Sequence, residues 1–108
     1  LKHLAFMSPA GAMVATAADV AVFLRALNDG SLLTQEEQAL YNSLYVNSHD
    51  GWLPGYLSFA RYDESSDTVV VMFASTSGDD PWLICDIIYR RILKVVDQRR
   101  QTVNTGQE

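Results

Sequence analysis

Apolar residues recur at helical spacing in three separate parts of the chain. In the first part they form one apolar stripe, made of Val20, Phe23, Leu24 and Leu27. Thr16, with Asp19 three residues later, has the pattern of a capping box, in which side chains satisfy free N–H groups at a helix start. Gly30 can adopt the left-handed conformation that ends many helices. The pattern therefore predicts a helix that begins after Thr16 and ends at Gly30.

A second helix start is predicted at Thr34, which has Glu37 three residues later. Leu40 and Leu44 lie about one helical turn apart, so we expect them to form the buried side of this helix. The apolar pattern fades near Tyr45, and we expect the helix to end there.

The third helical pattern lies near the end of the chain. Asp80 suits the N-cap position and Pro81 suits the first helical position, so we expect the helix to begin here. Apolar residues then make one face of this helix: Leu83, Ile84, Ile87, Ile88 and Ile92. We expect the helix to persist to about Arg100, and residues 101–108 to form a polar, disordered tail.

Between the second and third helices the chain is rich in aromatic and β-branched residues, which favour strands. Three strands are predicted, over residues 46–52, 56–62 and 68–75. A turn at Pro54 and a polar loop over 63–67 separate them. The run from Val69 to Phe73 is continuously apolar, so we expect the third strand to be central and covered on both faces.

The order of these elements predicts an α+β fold. Two helices come first, an antiparallel three-strand meander follows, and a long helix closes the chain. The length of 108 residues suits one small domain. We place that domain at residues 1–100 and a polar tail at 101–108.

The formal net charge of −5 disfavours a nucleic-acid binder, because such proteins usually present a basic face to phosphate. Basic residues cluster near the end of the third helix, where a positive charge interacts favourably with the helix dipole: Arg90, Arg91, Lys94, Arg99 and Arg100.

No apolar stretch approaches the roughly 20 residues needed to span a bilayer. Cys85 is the single cysteine, which excludes an intrachain disulfide, and we expect it in the core.

Several other site types find no support in the residues. A Ser-His-Asp triad would need His3 or His49 as its base, and no Gly-x-Ser-x-Gly motif is present. The histidines and acidic residues have no recognised metal-ligand spacing, so we predict no metal site. No glycine-rich phosphate loop follows a strand, and no cofactor is predicted.

The most specific signal is the stretch His49-Asp50-Gly51-Trp52-Leu53-Pro54-Gly55-Tyr56. A His-x-Gly strand that turns through Pro-Gly into a hairpin resembles the third active-site motif of the penicillin-recognising serine hydrolases. That family includes class C β-lactamases, D-alanyl-D-alanine carboxypeptidases and related esterases. Ala10 to Val20 resembles the family's small-Gly-x-x-Ser/Thr-x-x-Asp-Leu helix, and Pro81 to Leu93 resembles its closing helix. The resemblance covers roughly residues 8–95.

The resemblance implies that the chain is a fragment of the β-lactamase/transpeptidase-like fold. It also implies that His49, Gly51 and Trp52 are catalytic residues. Acyl transfer through a serine needs two N–H groups aimed at developing negative charge. In the family one comes from the nucleophile, and the other would come here from Trp52. His49 would supply a hydrogen bond or a positive field toward the substrate carboxylate and the catalytic tyrosine. Gly51 would leave room for a bound acyl group.

Two further positions are assigned to substrate binding, and both depart from the family pattern. Asp50 stands where Ser or Thr is usual, and a carboxylate there would repel an anionic substrate. Ser75 stands where many class C relatives have Asn near the substrate carboxylate. Both departures argue against ordinary β-lactam hydrolysis.

The family's nucleophile motif, Ser-x-x-Lys, does not occur in the chain. The lysines are Lys2 and Lys94, and neither follows a serine by three residues. Tyr45-Val46-Asn47 matches the second family motif, Tyr-x-Asn, but it lies two residues before His49 instead of far upstream. The resemblance therefore implies a C-terminal segment, inactive alone, whose partner is the missing N-terminal part of the same protein.

The implied parent is a serine hydrolase that works through an acyl-enzyme on a β-lactam, a D-Ala-D-Ala peptide or a small ester. An alternative is a standalone α+β interaction or peptide-binding domain without chemistry, which the missing nucleophile motivates. A third hypothesis is that the protein has the family architecture, has lost catalysis and binds a peptide or the cell wall. The residues do not decide the compartment, and the family resemblance implies a periplasmic or extracytoplasmic location.

Overall fold

The computed structural model of the protein describes residues 13–44, 48–75 and 78–106. Its elements, in chain order, are α1 (Ala17–Asp29), α2 (Gln35–Leu44), β1 (Ser48–Leu53), β2 (Tyr56–Asp63), β3 (Thr68–Ser75) and α3 (Pro81–Thr105). The strands form one antiparallel sheet in the order β1-β2-β3. This confirms the predicted α+β arrangement of two N-terminal helices, a strand meander and a C-terminal helix.

Side-chain caps fix the starts of α1 and α2 as predicted. Thr16 Oγ1 accepts a hydrogen bond from the Asp19 N–H at 3.1 Å. Thr34 and Glu37 form a complete capping box: the Glu37 N–H donates to Thr34 Oγ1 at 3.3 Å, and the Thr34 N–H donates to Glu37 Oε2 at 2.9 Å. At the far end of α1, Gly30 has φ +84°, as the prediction of a left-handed helix end requires.

Helix α3 begins where predicted and ends later than predicted. The Asp80 carboxylate accepts a hydrogen bond from a first-turn N–H at 3.1 Å, and Pro81 opens the helix. The helix continues to Thr105, beyond the end expected near Arg100, because no Gly or Pro interrupts the chain before Gly106. The first five residues of the expected polar tail are therefore helical, and the division of the domain at residue 100 stays a prediction.

Two tight turns set the register of the sheet. The first hairpin has the two-residue turn Pro54–Gly55, with Leu53 directly opposite Tyr56. The glycine of this turn has φ +82°, the value that position i+2 of a type II turn needs. The second hairpin turns through four residues, 64–67, which confirms the predicted polar loop.

The prediction that β3 is the central strand is wrong: β2 lies between β1 and β3 in the described sheet. Within the described ranges, β3 pairs only with β2 and β1 pairs only with β2. We call the unpaired sides of β1 and β3 their free edges. Val70 is buried, whereas Phe73 is 55% exposed. A continuous apolar run indicates that both faces of a strand can be buried, but it does not say whether the strand lies at the centre or at the edge of the sheet.

The core lies between the sheet and α3. Its buried and packed members are Leu57, Phe59, Met72, Ala74, Cys85 and Tyr89. Cys85 is 4% exposed, which confirms its prediction as a core residue. The rings of Phe59 and Tyr89 lie 5.6 Å apart at 57°, in the tilted geometry that aromatic pairs favour. Helix α3 therefore covers the face of the sheet that carries Phe59.

The buried side predicted for α2 is exposed in the structure. Leu40 and Leu44 are exposed, and no described residue of α2 is buried. On α3 the predicted apolar residues Ile84 and Ile88 are exposed, whereas Cys85 packs in the core against the sheet. Spacing identifies the apolar residues of a helix but not the element that covers them, and α3 carries more apolar residues than the described three-strand sheet can cover.

Helix α1 lies against β3 and β2, and its Leu24 is buried. Arg25 forms a double hydrogen bond with Asp67 in the second hairpin turn, from Nε at 3.2 Å and from Nη2 at 2.5 Å. The Tyr62 hydroxyl donates to the same carboxylate at 3.1 Å. The bonds from Arg25 and then Tyr62 hold the pKa of Asp67 below its ordinary value. These contacts join the helix to the hairpin.

Candidate active-site strand

Strand β1 carries four of the five predicted site residues. Successive side chains of a strand point to opposite faces of the sheet. His49 and Gly51 therefore share one face, and Asp50 and Trp52 share the other, which α3 covers further along. His49 is exposed, and the Trp52 side chain is 63% exposed. The structure thus aligns these residues on one edge strand and divides them between its faces.

The main-chain N–H of Trp52 points away from β2, toward the free edge of β1. Leu53 and Tyr56 flank a two-residue turn, so they face each other as a hydrogen-bonded pair. Bonded and non-bonded pairs alternate along an antiparallel ladder, so Gly51 is bonded to β2 and Trp52 is not. The Trp52 N–H is therefore directed at whatever lies beside the free edge.

The space beside Gly51 is occupied by a side chain of the neighbouring strand. Ser58 lies directly opposite Gly51, and a Cβ added to Gly51 would collide with Ser58 Oγ. The same Cβ would lie 3.7 Å from Ser58 Cβ, which is ordinary contact. The absence of a side chain at Gly51 therefore makes room for the serine hydroxyl on the face that carries His49.

The carboxylate of Asp50 is directed away from the face of His49. It lies 3.9 Å from the Arg61 guanidinium, on the side of the sheet that α3 covers. The charge of Asp50 therefore faces the side of the sheet opposite His49 and lies near a cation, and its assignment to substrate binding stays a prediction. The main-chain groups of Asp50 point toward the free edge of β1, because Asp50, like Trp52, is not hydrogen-bonded to β2.

Arg61 of β2 packs against α3 behind the candidate site. Its guanidinium lies 4.1 Å from the centre of the Phe59 ring and 5.3 Å from the centre of the Tyr89 ring. It also forms an ion pair with Asp86 at 3.3 Å. Burial raises the pKa of the Tyr89 phenol. These contacts join α3 to β2, and the longer ion pair with Asp50 extends them to β1.

Ser75 is not brought together with His49. Ser75 lies opposite Tyr56, which lies opposite Leu53, so two strand spacings of about 10 Å in total separate it from β1. It belongs to the row beyond Trp52, at the end of the sheet away from His49. Its assignment to substrate binding stays a prediction, and it requires a substrate that extends across the sheet.

Some residues singled out in the sequence lie outside the described ranges. These are His3, the segment Tyr45-Val46-Asn47 and the first residues of the glycine-containing helix motif. In residues 13–44, 48–75 and 78–106, no cluster of three or more His, Cys, Asp or Glu side chains is arranged to bind a metal ion. In the same ranges, no helix combines the length and the apolarity needed to cross a membrane.

Sequence reasoning missed Ser58 and Arg61. A two-residue turn after Leu53 fixes the register, so the position of Ser58 opposite Gly51 follows from counting outward from the turn. Arg61 lies diagonally across the hairpin from Asp50, within reach of a long side chain. Both contacts were therefore readable from the turn, once its length was taken as two residues.

Comparison with known proteins gives no match for this chain. No family model fits the sequence, no curated protein is significantly similar to it, and no solved structure is significantly similar either. The candidate site therefore depends on the residues and the geometry described above.

Proposed function

We propose that this chain is the C-terminal part of a serine hydrolase of the penicillin-recognising type, in which β1 forms one wall of the active site. The parent acts on an amide or ester through an acyl-enzyme. The observation that carries the proposal is the Trp52 N–H at the free edge of β1, on the same short strand as His49 and Gly51.

Trp52 serves as an oxyanion donor in this proposal. The carbonyl oxygen of the substrate becomes negative as the serine attacks, and an N–H group already aimed at it stabilises the transition state. Loss of one such donor lowers kcat by roughly 10²- to 10³-fold in enzymes of this kind. The role belongs to the main chain of Trp52, so its exposed indole is free to vary.

His49 and Gly51 complete the wall. The His49 side chain lies on the exposed face of the strand and donates a hydrogen bond to the substrate carboxylate. Gly51 lets the substrate approach the strand closely at the next position on that face. Since Asp50 faces Arg61 instead, no carboxylate of β1 opposes an anionic substrate. A β-lactam or a D-Ala-D-Ala peptide is therefore compatible with this face, as is a small ester.

The proposal requires one partner, the N-terminal part of the same protein. That part supplies the Ser-x-x-Lys nucleophile, which the 108 residues do not contain, and the other oxyanion N–H. It also supplies the Tyr-x-Asn motif in its usual upstream position. By the same resemblance the parent works in the periplasm or elsewhere outside the cytoplasm.

Covalent labelling tests the proposal. The 108-residue chain and the full-length gene product are each incubated with a fluorophosphonate and with a penicillin, and intact masses are measured. We expect an adduct on the full-length protein and none on the 108-residue chain. In the full-length protein, His49→Ala should slow acylation by the penicillin by roughly 10- to 100-fold, as expected for the loss of one hydrogen bond to a charged group. Ser48→Ala, one residue away on the other face of β1, should change it little.

Two outcomes count against the proposal. If the full-length protein forms no adduct with either reagent, the parent is not a serine hydrolase of this type. If the 108-residue chain itself forms an adduct, the nucleophile lies within it and the assignment of roles is wrong.

A second candidate function is a non-catalytic interaction or peptide-binding domain. The free edges of β1 and β3 favour it, because an extended peptide can pair with an unpaired strand through main-chain hydrogen bonds. Binding of a peptide by the 108-residue chain, together with no labelling of the full-length protein, would select this function over the hydrolase.

A further inference from the structure

Asp50 and Trp52 of β1 turn their main-chain groups away from the sheet, toward the free edge. Neither residue is hydrogen-bonded to β2, whereas Gly51 between them is. Within the described ranges β1 pairs only with β2, so no second ladder holds this stretch in place. The position of the Trp52 N–H therefore depends on the bonded pairs beside it and on the contact that holds Asp50.

The side chain of Asp50 connects this stretch to α3 through Arg61. The Asp50 carboxylate lies 3.9 Å from Arg61 Nη2. The same guanidinium forms an ion pair with Asp86 of α3 at 3.3 Å. Asp86 also accepts a hydrogen bond from Arg90 at 2.8 Å. Four charges of alternating sign therefore run from α3 to the middle of β1.

The guanidinium of Arg61 is ordered by contacts other than the one with Asp50. It lies 4.1 Å from the centre of the Phe59 ring and 5.3 Å from the centre of the Tyr89 ring. An exposed ion pair contributes little in part because two side chains must be ordered to form it. For Arg61 that entropy is already lost through the rings and Asp86. The pair with Asp50 therefore stabilises more than an isolated surface pair would.

We propose that Asp50 and Arg61 are positioning residues for the strand that carries the oxyanion donor. Arg61 holds the Asp50 carboxylate on the α3 side of the sheet, and this contact keeps the main chain of Asp50 and Trp52 at the free edge. The inference rests on the proposed function, in which the Trp52 N–H stabilises the transition state. The two charged side chains act through the main chain of β1 and not on the substrate.

A carboxylate at position 50 has a use in this arrangement that a hydroxyl lacks. The family pattern has Ser or Thr here, and a neutral hydroxyl would gain no charge attraction from a guanidinium 3.9 Å away. The positioning role differs from the substrate-binding role that the sequence suggests for Asp50. The two roles predict different kinetics, because a substrate contact changes the binding of substrate and a positioning contact changes the rate of the chemical step.

Hydrogen exchange of the 108-residue chain tests the contact without any catalysis. The N–H groups of His49 and Gly51 are bonded to β2 and exchange when β1 separates from it. Asp50→Asn should raise their exchange rates by about two- to fivefold, the range expected for one ion pair. Asp50→Glu keeps the carboxylate and should leave the rates nearly unchanged. The matched control is Glu64→Gln, which removes an exposed carboxylate from the second hairpin turn and should change neither rate.

Two further measurements show whether the effect comes from the charge pair. In about 1 M NaCl the Debye length falls to about 3 Å, so the difference between Asp50→Asn and the unchanged chain should shrink. A double-mutant cycle with Arg61→Gln separates this pair from the other contacts of Arg61, and in that background Asp50→Asn should have no further effect. Circular dichroism checks folding, and the salt measurement stands alone if Arg61→Gln does not fold.

Acylation kinetics of the full-length protein test the consequence for the site. With a penicillin, Asp50→Asn should lower the limiting acylation rate and leave the half-saturating concentration unchanged, because the oxyanion forms only in the transition state. The loss cannot exceed the free energy that the pair contributes, so it should again be about two- to fivefold. Asp50→Glu should restore the rate, and Glu64→Gln should not alter it.

The outcomes are distinct. Faster exchange and a lower limiting rate in Asp50→Asn, both restored in Asp50→Glu, support the proposal. Unchanged exchange overturns it, because the pair then does not hold β1. A change in the half-saturating concentration alone overturns it in favour of substrate binding, and faster acylation overturns it in favour of repulsion of an anionic substrate.

Failure of the positioning role is distinguishable from failure of the proposed function. An adduct on the full-length protein, with exchange unchanged in Asp50→Asn, overturns the positioning role alone. Absence of any adduct on the full-length protein overturns the proposed function and the positioning role with it, whatever the exchange rates show.

Discussion

The hydroxyl of Ser58 occupies the space that a side chain at Gly51 would need, across the first hairpin of the sheet. The two residues are held in this relation by the two-residue turn between their strands. Gly51 therefore has a structural reason to be glycine that is separate from any substrate. The two reasons are distinguishable by experiment, since one concerns stability and the other concerns acylation.

Gly51→Ala should be costlier with Ser58 present than without it. In the unchanged background Ser58 must leave its rotamer, at a cost of about 0.5–1.5 kcal/mol. In the Ser58→Ala background the new Cβ makes only an ordinary van der Waals contact. The free energy of unfolding should then rise by about 0.4–1 kcal/mol, because alanine reduces the conformational freedom of the unfolded chain. Urea unfolding of the four proteins in this cycle should give a coupling of about 1 kcal/mol. Equal effects in both backgrounds would contradict the contact.

Gly55→Ala should destabilise the chain by about 1 kcal/mol for a different reason. Gly55 has φ +82°, and nothing lies within 4 Å of a Cβ placed there, so the strain is in the backbone alone. The loss should be the same with Ser58 or with alanine at that position. Gly55→Asn should recover part of the stability, since asparagine tolerates this conformation. Thermal unfolding measures both, and no loss in Gly55→Ala would mean that the turn is not of this type.

The Asp67 carboxylate should make the chain less stable in acid. Its pKa is lower in the folded state than the unfolded value of about 3.9, because of hydrogen bonds from Arg25 and then from Tyr62. The stabilisation is therefore complete above the unfolded pKa and is lost as pH falls through the folded pKa. Asp67→Asn should flatten the fall of unfolding free energy below about pH 4.

The control for that change is Glu64→Gln, an exposed residue in the same turn. Asn also tolerates the positive φ of +49° at position 67, so Asp67→Asn removes the charge without straining the turn. Urea titrations at several pH values between about 2 and 7 measure the slope. A slope that Asp67→Asn leaves unchanged would place the acid sensitivity in other carboxylates, of which Asp63 also has a lowered pKa through bonds from Ser66 and Ser65.

Asp80→Ala should destabilise the chain by about 1 kcal/mol, within the usual range for loss of a helix cap. The Asp80 carboxylate accepts the Leu83 N–H, which would otherwise lack a partner inside the helix. Asp79→Ala changes the neighbouring acid, which does not occupy the cap position, and should have a smaller effect. Asp80→Ser should retain most of the stability. Denaturant unfolding distinguishes these three variants, and equal losses at positions 79 and 80 would exclude capping.

Local signals in the sequence predicted the elements well. Thr16, Thr34 and Asp80 each mark a helix start because a cap acts over three residues and needs no tertiary contact. The order of elements and the antiparallel meander followed from turns of definite length. These features depend on neighbours in sequence, so sequence reasoning reaches them.

Contacts between distant elements could not be predicted in the same way. Leu40 was expected to be buried and is exposed, since a spacing rule does not say whether another element covers the stripe. Phe73 lies on an edge strand for the same reason. At the candidate site, the motif identified His49 and Gly51, and the two-residue turn with strand alternation is enough to place Asp50 on the other face, within reach of Arg61. The burial of that face by α3 depends on the fold.

The most direct test of the central claim is to read the coding sequence upstream of the codon for Leu1. The proposal predicts an in-frame Ser-x-x-Lys followed downstream by a Tyr-x-Asn, before the start of this chain. That result would make β1 the third-motif strand of a serine hydrolase. A start codon close to Leu1, with neither motif, would contradict the claim, and the chain would then be a small standalone domain.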